Sequence, residues 1–411
     1  MSTMSSIQKR AVLAICIFSS MVMISAMTGS LMAYIYESYP ELPVTTVQLV
    51  MALPSLVGIF ASFAAGSLAM RFNKKYLLLF SAATNLLYFI VFAVFGVSGP
   101  FFLLIIAAAI SGLSRGGAMT LMNLAIADFL GPERSATYIA IIGAVLQAGA
   151  AIVGVFGGII GAIDDGAYWN YAFYLGLLII PSMIIFAKLM PKEPDTPAAS
   201  APKKAVETNV PPQANDGSRI PIKAYLVGIL LVLYYISISA FLLNISFYVI
   251  TENMLGTSAD VGYINFLFMA MGVAVGFLYG TCAKVFKDWN MPLCYFTTAA
   301  GMTILLLFNT HIAGAYISAL LLGFGFNLTI PYNTVYLAKI TPPRLVPIAV
   351  AFVSGGMNLG MFAAPMVLNS LSGLFGGGID GIFILSIVIA GICTIGSIFV
   401  FPLTKARQAG A

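Results

Sequence analysis

The chain has 411 residues, 60% of them hydrophobic and 8% charged, with 19 basic against 14 acidic side chains and a formal net charge of +5. So few charges cannot coat a soluble globule of this length, which excludes the soluble classes. Many stretches exceed the ~20 apolar residues that cross a bilayer as a helix, and short alternating strands of a barrel are not seen.

The pattern predicts an all-α polytopic membrane protein with twelve transmembrane helices, arranged as two pseudo-symmetric six-helix bundles. Spans one to six run at about Ala11 to Tyr36, Thr45 to Met70, Tyr76 to Val97, Pro100 to Ala127, Ser135 to Ile163 and Trp169 to Leu189. Spans seven to twelve run at about Ile222 to Thr251, Ser258 to Ala283, Met291 to Phe308, Ile312 to Ala338, Val346 to Phe375 and Ile379 to Leu403. Span one lacks a small-residue cleavage site and is too long for a signal-peptide core, so it is expected to be retained. The cysteines Cys16, Cys282, Cys294 and Cys393 lie in apolar stretches without CxxC spacing, which points to neither a disulfide framework nor a metal site.

One connection is long. Pro191 to Pro221, PKEPDTPAASAPKKAVETNVPPQANDGSRIP, is rich in proline, alanine and charge and has nothing to bury as a core. It divides the chain into an N-terminal bundle at 1–190, a linker at 191–221 and a C-terminal bundle at 222–411.

Basic residues set the expected orientation. With the N-terminus inside, 18 of the 19 Lys and Arg residues fall in cytoplasmic segments, among them Lys9, Arg10, Arg71, Lys74, Lys75, Arg134, Lys188, Lys284, Lys287, Arg344 and Lys405. The remaining one is Arg115, within span four. This positive-inside asymmetry places both termini in the cytoplasm of a cell membrane, the inner membrane where there are two. The net charge therefore reports topology, and no nucleic-acid partner is implied.

The halves also read as copies. At an offset of 211 residues Gly112 falls on Gly323, Asp128 on Lys339, Gln147 on Asn358 and Gly149 on Gly360, while Arg134 and Arg344 correspond at 210. The matched positions lie at equal depth in spans of the same direction, the mark of a parallel repeat about an axis along the membrane normal.

Gly66 to Lys75, GSLAMRFNKK, follows span two, GPER occupies Gly131 to Arg134, and a degenerate copy, GTCAKVFK, runs from Gly280 to Lys287. These segments resemble the signature loops of the major facilitator superfamily, and the resemblance covers essentially the whole chain. It implies a latch on the inward face, formed by Gly66, Arg71, Lys74, Lys75, Asp128 and Arg134. The acidic position of the signature is Met70, so half of the usual latch is missing, and the basic residues also read as plain positive-inside anchors. The proton-antiporter signature of span five is incomplete as well: VGVFGG, Val153 to Gly158, keeps the glycines and lacks the proline.

The chemistry concentrates at mid-depth. A guanidinium in the middle of an apolar span costs about 3 kcal/mol on insertion scales, so Arg115 is expected to face protein or water. Gln147, Asn327 and Asn358 lie at similar depth in spans five, ten and eleven. Together with Arg115 they form the candidate substrate site, with Tyr235, Asn244, Tyr332 and Met119 as further members. Arg115 has a second reading as a packing residue bonded to carbonyls or to Ser111 and Ser114, and the amides have one as interhelical partners. No carboxylate lies deep in a span, because Glu37, Glu252 and Asp128 all sit near span ends. A buried cation without a buried anion favours a negatively charged cargo, which supplies the missing countercharge.

These observations predict a secondary transporter for a small organic anion, working by alternating access with protons as the expected coupling ion, as a monomer in the lipid bilayer and without a cofactor. The alternative is efflux of amphiphiles. An enzyme is disfavoured by a single histidine, His311, and by the absence of HExxH, and a primary pump by the absence of GxxxxGK[ST]. Gly154 to Gly161, GVFGGIIG, and Gly355 to Gly360, GGMNLG, read as small-residue packing seams, and Pro54, Pro181, Pro331 and Pro365 as kinks.

Overall fold

The computed structural model describes residues 4–192, 220–342 and 345–401. Most of the predicted linker 191–221, with Arg344 and Lys405, lies outside the described residues. The described chain is helical throughout, and its order is α1 (Ser6–Ser19), α2 (Met32–Glu37), α3 (Val44–Leu68), α4 (Lys74–Phe95), α5 (Phe101–Leu130), α6 (Pro132–Gly161) and α7 (Ile179–Leu189). After the linker come α8 (Ile222–Ser246), α9 (Ser258–Phe286), α10 (Asn290–Leu307), α11 (Ile312–Ile340), α12 (Val346–Leu371) and α13 (Gly378–Val400).

Eleven continuous helical segments among the described residues are long and apolar enough to cross a membrane. One of them, Ser258–Leu307, is 50 residues long and holds two spans, α9 and α10, joined by the short 3-10 turn Lys287–Trp289. Large apolar side chains stand on the outside of the helices, Phe60 at 68% and Phe277 at 85% exposure, as expected of surfaces that meet lipid instead of water.

Two compact units account for the described residues. The first comprises 4–192 with 257–266, and the second 220–256 with the described residues from 267 onward. Ser258 and Asn265, in the first turns of α9, belong to the first unit: Ser258 Oγ donates to the Gly158 carbonyl (2.7 Å) and Asn265 Nδ2 to Ser30 Oγ (3.0 Å).

Within the first unit, α3 and α5 approach to backbone contact. A Cβ on Gly116 would lie 2.1 Å from the Gly58 carbonyl oxygen, and one on Gly112 2.7 Å from that of Pro54. Ser62 Oγ bridges the seam, reaching the carbonyls of Gly58 (2.8 Å) and Gly116 (3.1 Å). The second unit repeats the arrangement, with Gly323 against Phe268 and Met271. The other matched pair behaves alike: Gly149 abuts the Ser20 carbonyl and Gly360 that of Val232. Residues related by the sequence offset thus perform the same packing task, because only a side chain of one hydrogen lets two helix backbones come so close.

Span one is not a continuous helix. Between α1 and α2 the chain passes through a turn and then a 3-10 stretch, Ile24–Leu31. Span six begins in the same way, as a 3-10 stretch Trp169–Leu178 leading into α7. Irregular backbone at this depth requires cover by protein, and Ile24, Met27, Thr28 and Leu31 are all buried. Tyr88, Phe89, Phe92 and Phe173 form the adjoining aromatic core, with Phe92 stacked on Phe173 at 4.7 Å. Trp169 is 1% exposed and its Nε1 donates to Ser38 Oγ (2.8 Å), whereas Trp289, in the turn after α9, is 62% exposed. Tyr39, between α2 and α3, donates to the carbonyls of Gly96 (2.8 Å) and Gly99 (3.0 Å). Burial, assisted by the charge of Glu41, raises its phenol above the ordinary range.

Candidate functional site

Arg115 lies in the middle of α5 and is half-buried. No carboxylate reaches ion-pair distance of its guanidinium among the described residues, where Asp128 is taken by Lys74. Tyr88 of α4 interacts electrostatically with Arg115. The Tyr88 hydroxyl is 2.7 Å from Thr28 Oγ1 in the irregular part of span one. Thr28 belongs to the 3-10 stretch of span one, so Tyr88 stands between the cation and irregular backbone in electrostatic terms. Tyr88 and Thr28 were not among the residues singled out by sequence. Their signal is faint: a threonine beside Gly29 in an apolar run, and a tyrosine one helix away.

Gln147 of α6 is half-buried, and Met119 of α5 is 39% exposed. In the second unit Asn327 of α11 donates to the Gly323 carbonyl (2.8 Å) and at longer range to that of Phe268 (3.5 Å). Asn358 of α12 donates to the Ser354 carbonyl (3.0 Å) and is half-buried. Asn244 of α8 is buried and donates to Ala240 (2.9 Å). All three amides use Nδ2 on the carbonyl four residues earlier in their own helix.

Tyr235 is 2% exposed, in a cluster with Tyr234 (ring centroids 5.6 Å) and Phe326 (5.6 Å). Its hydroxyl and that of buried Tyr295 have no hydrogen-bond partner among the described residues. The Tyr332 hydroxyl donates to the Lys287 carbonyl (2.9 Å), in the turn between α9 and α10.

Of the predicted latch residues, Lys74 and Asp128 meet at one end of the first unit. Gly131, with φ of 73°, ends α5 in a conformation that suits glycine, and Pro132 starts α6 immediately, so GPER is a tight helix-to-helix corner. That corner holds Asp128 in the last turn of α5. Asn73 caps α4, its side chain accepting from Lys75 N (2.9 Å), and so sets Lys74 in the first turn. Lys74 Nζ meets Asp128 Oδ2 at 2.8 Å, with both side chains 13% exposed. Lys75 Nζ instead reaches the Met190 carbonyl (3.3 Å), just beyond the end of α7. Arg71 is exposed, Arg134 is half-buried, and a Cβ at Gly66 would meet nothing within 4 Å. Met70 is 82% exposed.

The family model described as Major Facilitator Superfamily matches residues 13–293 and again 227–411. Among curated proteins, the efflux pump dotC of Dothistroma septosporum is 34% identical over 134 residues, covering 32% of this chain and 22% of that protein's length. Among solved structures, a mutant of the nucleoside transporter NupG superposes with a TM-score of 0.75 at 10% identity, covering 96% of this chain and 100% of that one. A mutant of a POT peptide transporter gives 0.73 at 12% identity over 98% and 95%. The human organic anion transporter MFSD10 (TETRAN) gives 0.65 at 14% identity over 96% and 100%. At these identities the superpositions establish the fold.

Proposed function

The chain belongs to the Major Facilitator Superfamily, and from that premise we propose that it is a secondary active transporter whose cargo is a small organic anion, most simply a carboxylate. The observation that carries this reading is Arg115, half-buried in an apolar helix with no carboxylate in ion-pair range among the described residues. A guanidinium offers a planar fork that matches a carboxylate in two parallel hydrogen bonds. An anionic guest neutralises a charge whose insertion is otherwise unfavourable. Gln147, Asn327, Asn358, Tyr235, Asn244, Tyr332 and Met119 are the proposed further contacts, and the amide and phenol groups among them can both donate and accept hydrogen bonds.

Transport proceeds in this reading by alternating access of the bundles 1–190 and 222–411, joined by 191–221. Gly66, Arg71, Lys74, Lys75, Asp128 and Arg134 form the inward latch, both termini are cytoplasmic, and the monomer is the working unit. Protons are the proposed coupling ion, carried by Glu37, Glu252, Asp128 or the cargo itself. A second reading, efflux of amphiphiles, draws support from the partial likeness to an efflux pump. The test is flux in proteoliposomes. Saturable, carboxylate-competed uptake that Arg115→Lys weakens and Arg115→Gln abolishes supports the anion reading. Unchanged transport in both variants removes it, and competition by cationic dyes instead favours efflux.

A further inference from the structure

The first unit contains a small cavity beside the irregular backbone of span one. It is lined by apolar side chains, Phe18, Val22 and Ile179 among them, and by three polar ones, Asn85, Ser114 and Ser182. Its volume is about 10 Å³, the space of a single water molecule.

Each of the polar side chains is buried and has hydrogen-bonding capacity left over. Asn85, 2% exposed, spends its Nδ2 on the carbonyls of Met21 (3.3 Å) and Val22 (3.4 Å), where α1 has ended and no helical donor is in place. Its Oδ1 has no partner among the described residues. Ser114 is 1% exposed, and Ser81 Oγ donates between its carbonyl (3.2 Å) and its Oγ (3.3 Å), which leaves the Ser114 hydroxyl proton to give. Ser182, 6% exposed, donates to the Ile17 carbonyl (3.2 Å), which leaves its lone pairs to accept. An orphaned buried acceptor is costly, of the order of 1–3 kcal/mol, so a polar occupant is favoured over none.

We propose that this cavity is a binding site for one structural water molecule that pins the break in span one. The water donates to Asn85 Oδ1 and Ser182 Oγ and accepts from Ser114 Oγ–H, the usual complement of three bonds for a buried water. The chemistry excludes an ion: no charged side chain lines the cavity, and a cation would meet too few oxygens. Asn85 links the two halves of the device, holding the free carbonyls of span one with its amide end and the water with its carbonyl end.

The site is tested on the full-length protein in lipid nanodiscs, with a map at a resolution that shows ordered waters. Density joined to Asn85, Ser114 and Ser182 is expected, together with strong oxidation of Met21 on X-ray radiolysis, because a trapped water generates hydroxyl radicals beside it. Ala82→Val, which fills the cavity from α4, is expected to abolish both signals and to lower the melting temperature by several degrees. A map without density at that position overturns the proposal, whether or not the variant folds.

Discussion

Lys74 and Asp128 form a 2.8 Å ion pair between the first turn of α4 and the last turn of α5. Each residue stands at the end of its own helix where the backbone dipole opposes its charge, and each faces the favourable end of the other helix. With both side chains mostly covered, loss of one leaves the other stranded. Lys74→Met and Asp128→Asn are each expected to destabilise the first unit by about 1–3 kcal/mol. The exchanged pair, Lys74→Asp with Asp128→Lys, restores the contact and is expected to melt closer to wild type than either single variant. Thermal unfolding in detergent checks this, and equal losses in all three would show that the pair is incidental.

The glycines divide sharply into those with a neighbour and those without. Gly116→Ala and Gly149→Ala place a methyl 2.1 Å from a backbone carbonyl, so the helices must part. Overpacking of this kind costs about 1–3 kcal/mol. Gly143→Ala, with nothing within 4 Å, is expected to be neutral or slightly stabilising, since alanine is about 1 kcal/mol better than glycine in a helix interior. Folded yield by size-exclusion chromatography separates the two groups.

Tyr88 and Thr28 share a buried hydrogen bond of 2.7 Å. Tyr88→Phe strands the Thr28 hydroxyl, which is 1% exposed, at a cost of about 1–3 kcal/mol. Adding Thr28→Val removes the stranded group, so the double variant is expected to be no less stable than Tyr88→Phe alone. A double-mutant cycle of melting temperatures measures the coupling.

Cargo binding should stabilise the folded protein. At a concentration 100 times Kd the gain is about 2.7 kcal/mol, visible as a thermal shift. Wild type is expected to shift with carboxylates and not with neutral sugars, Arg115→Lys to shift less, and Arg115→Gln not at all.

Much of this was legible in the primary structure, and the reasons are physical. Span positions follow from hydropathy, which is summed over some 20 residues and tolerates local noise. The matched glycines at 112 and 323 and at 149 and 360 could be read because close backbone approach admits one residue type only. Lys74 and Asp128 were readable as latch candidates through the resemblance, although the choice of Lys74 over Lys75 was not. It depends on the Asn73 cap, which aims one lysine at α5 and the other at the Met190 carbonyl. The break in span one escaped notice because MISAMTGSL is as apolar as a helix and contains no proline. Backbone irregularity there is imposed by neighbours: Asn85 capturing two carbonyls and Gly149 admitting the Ser20 backbone. Such partners are distant in sequence, and no local periodicity announces them.

The two tryptophans furnish an optical handle. Trp169 is sealed in the first unit and Trp289 stands uncovered in the turn of the second. Their emission should be blue and red respectively, so a Trp289→Phe variant leaves a single fluorophore that reports on one bundle alone, and quenching by an aqueous solute tells which half of the carrier responds when cargo is added.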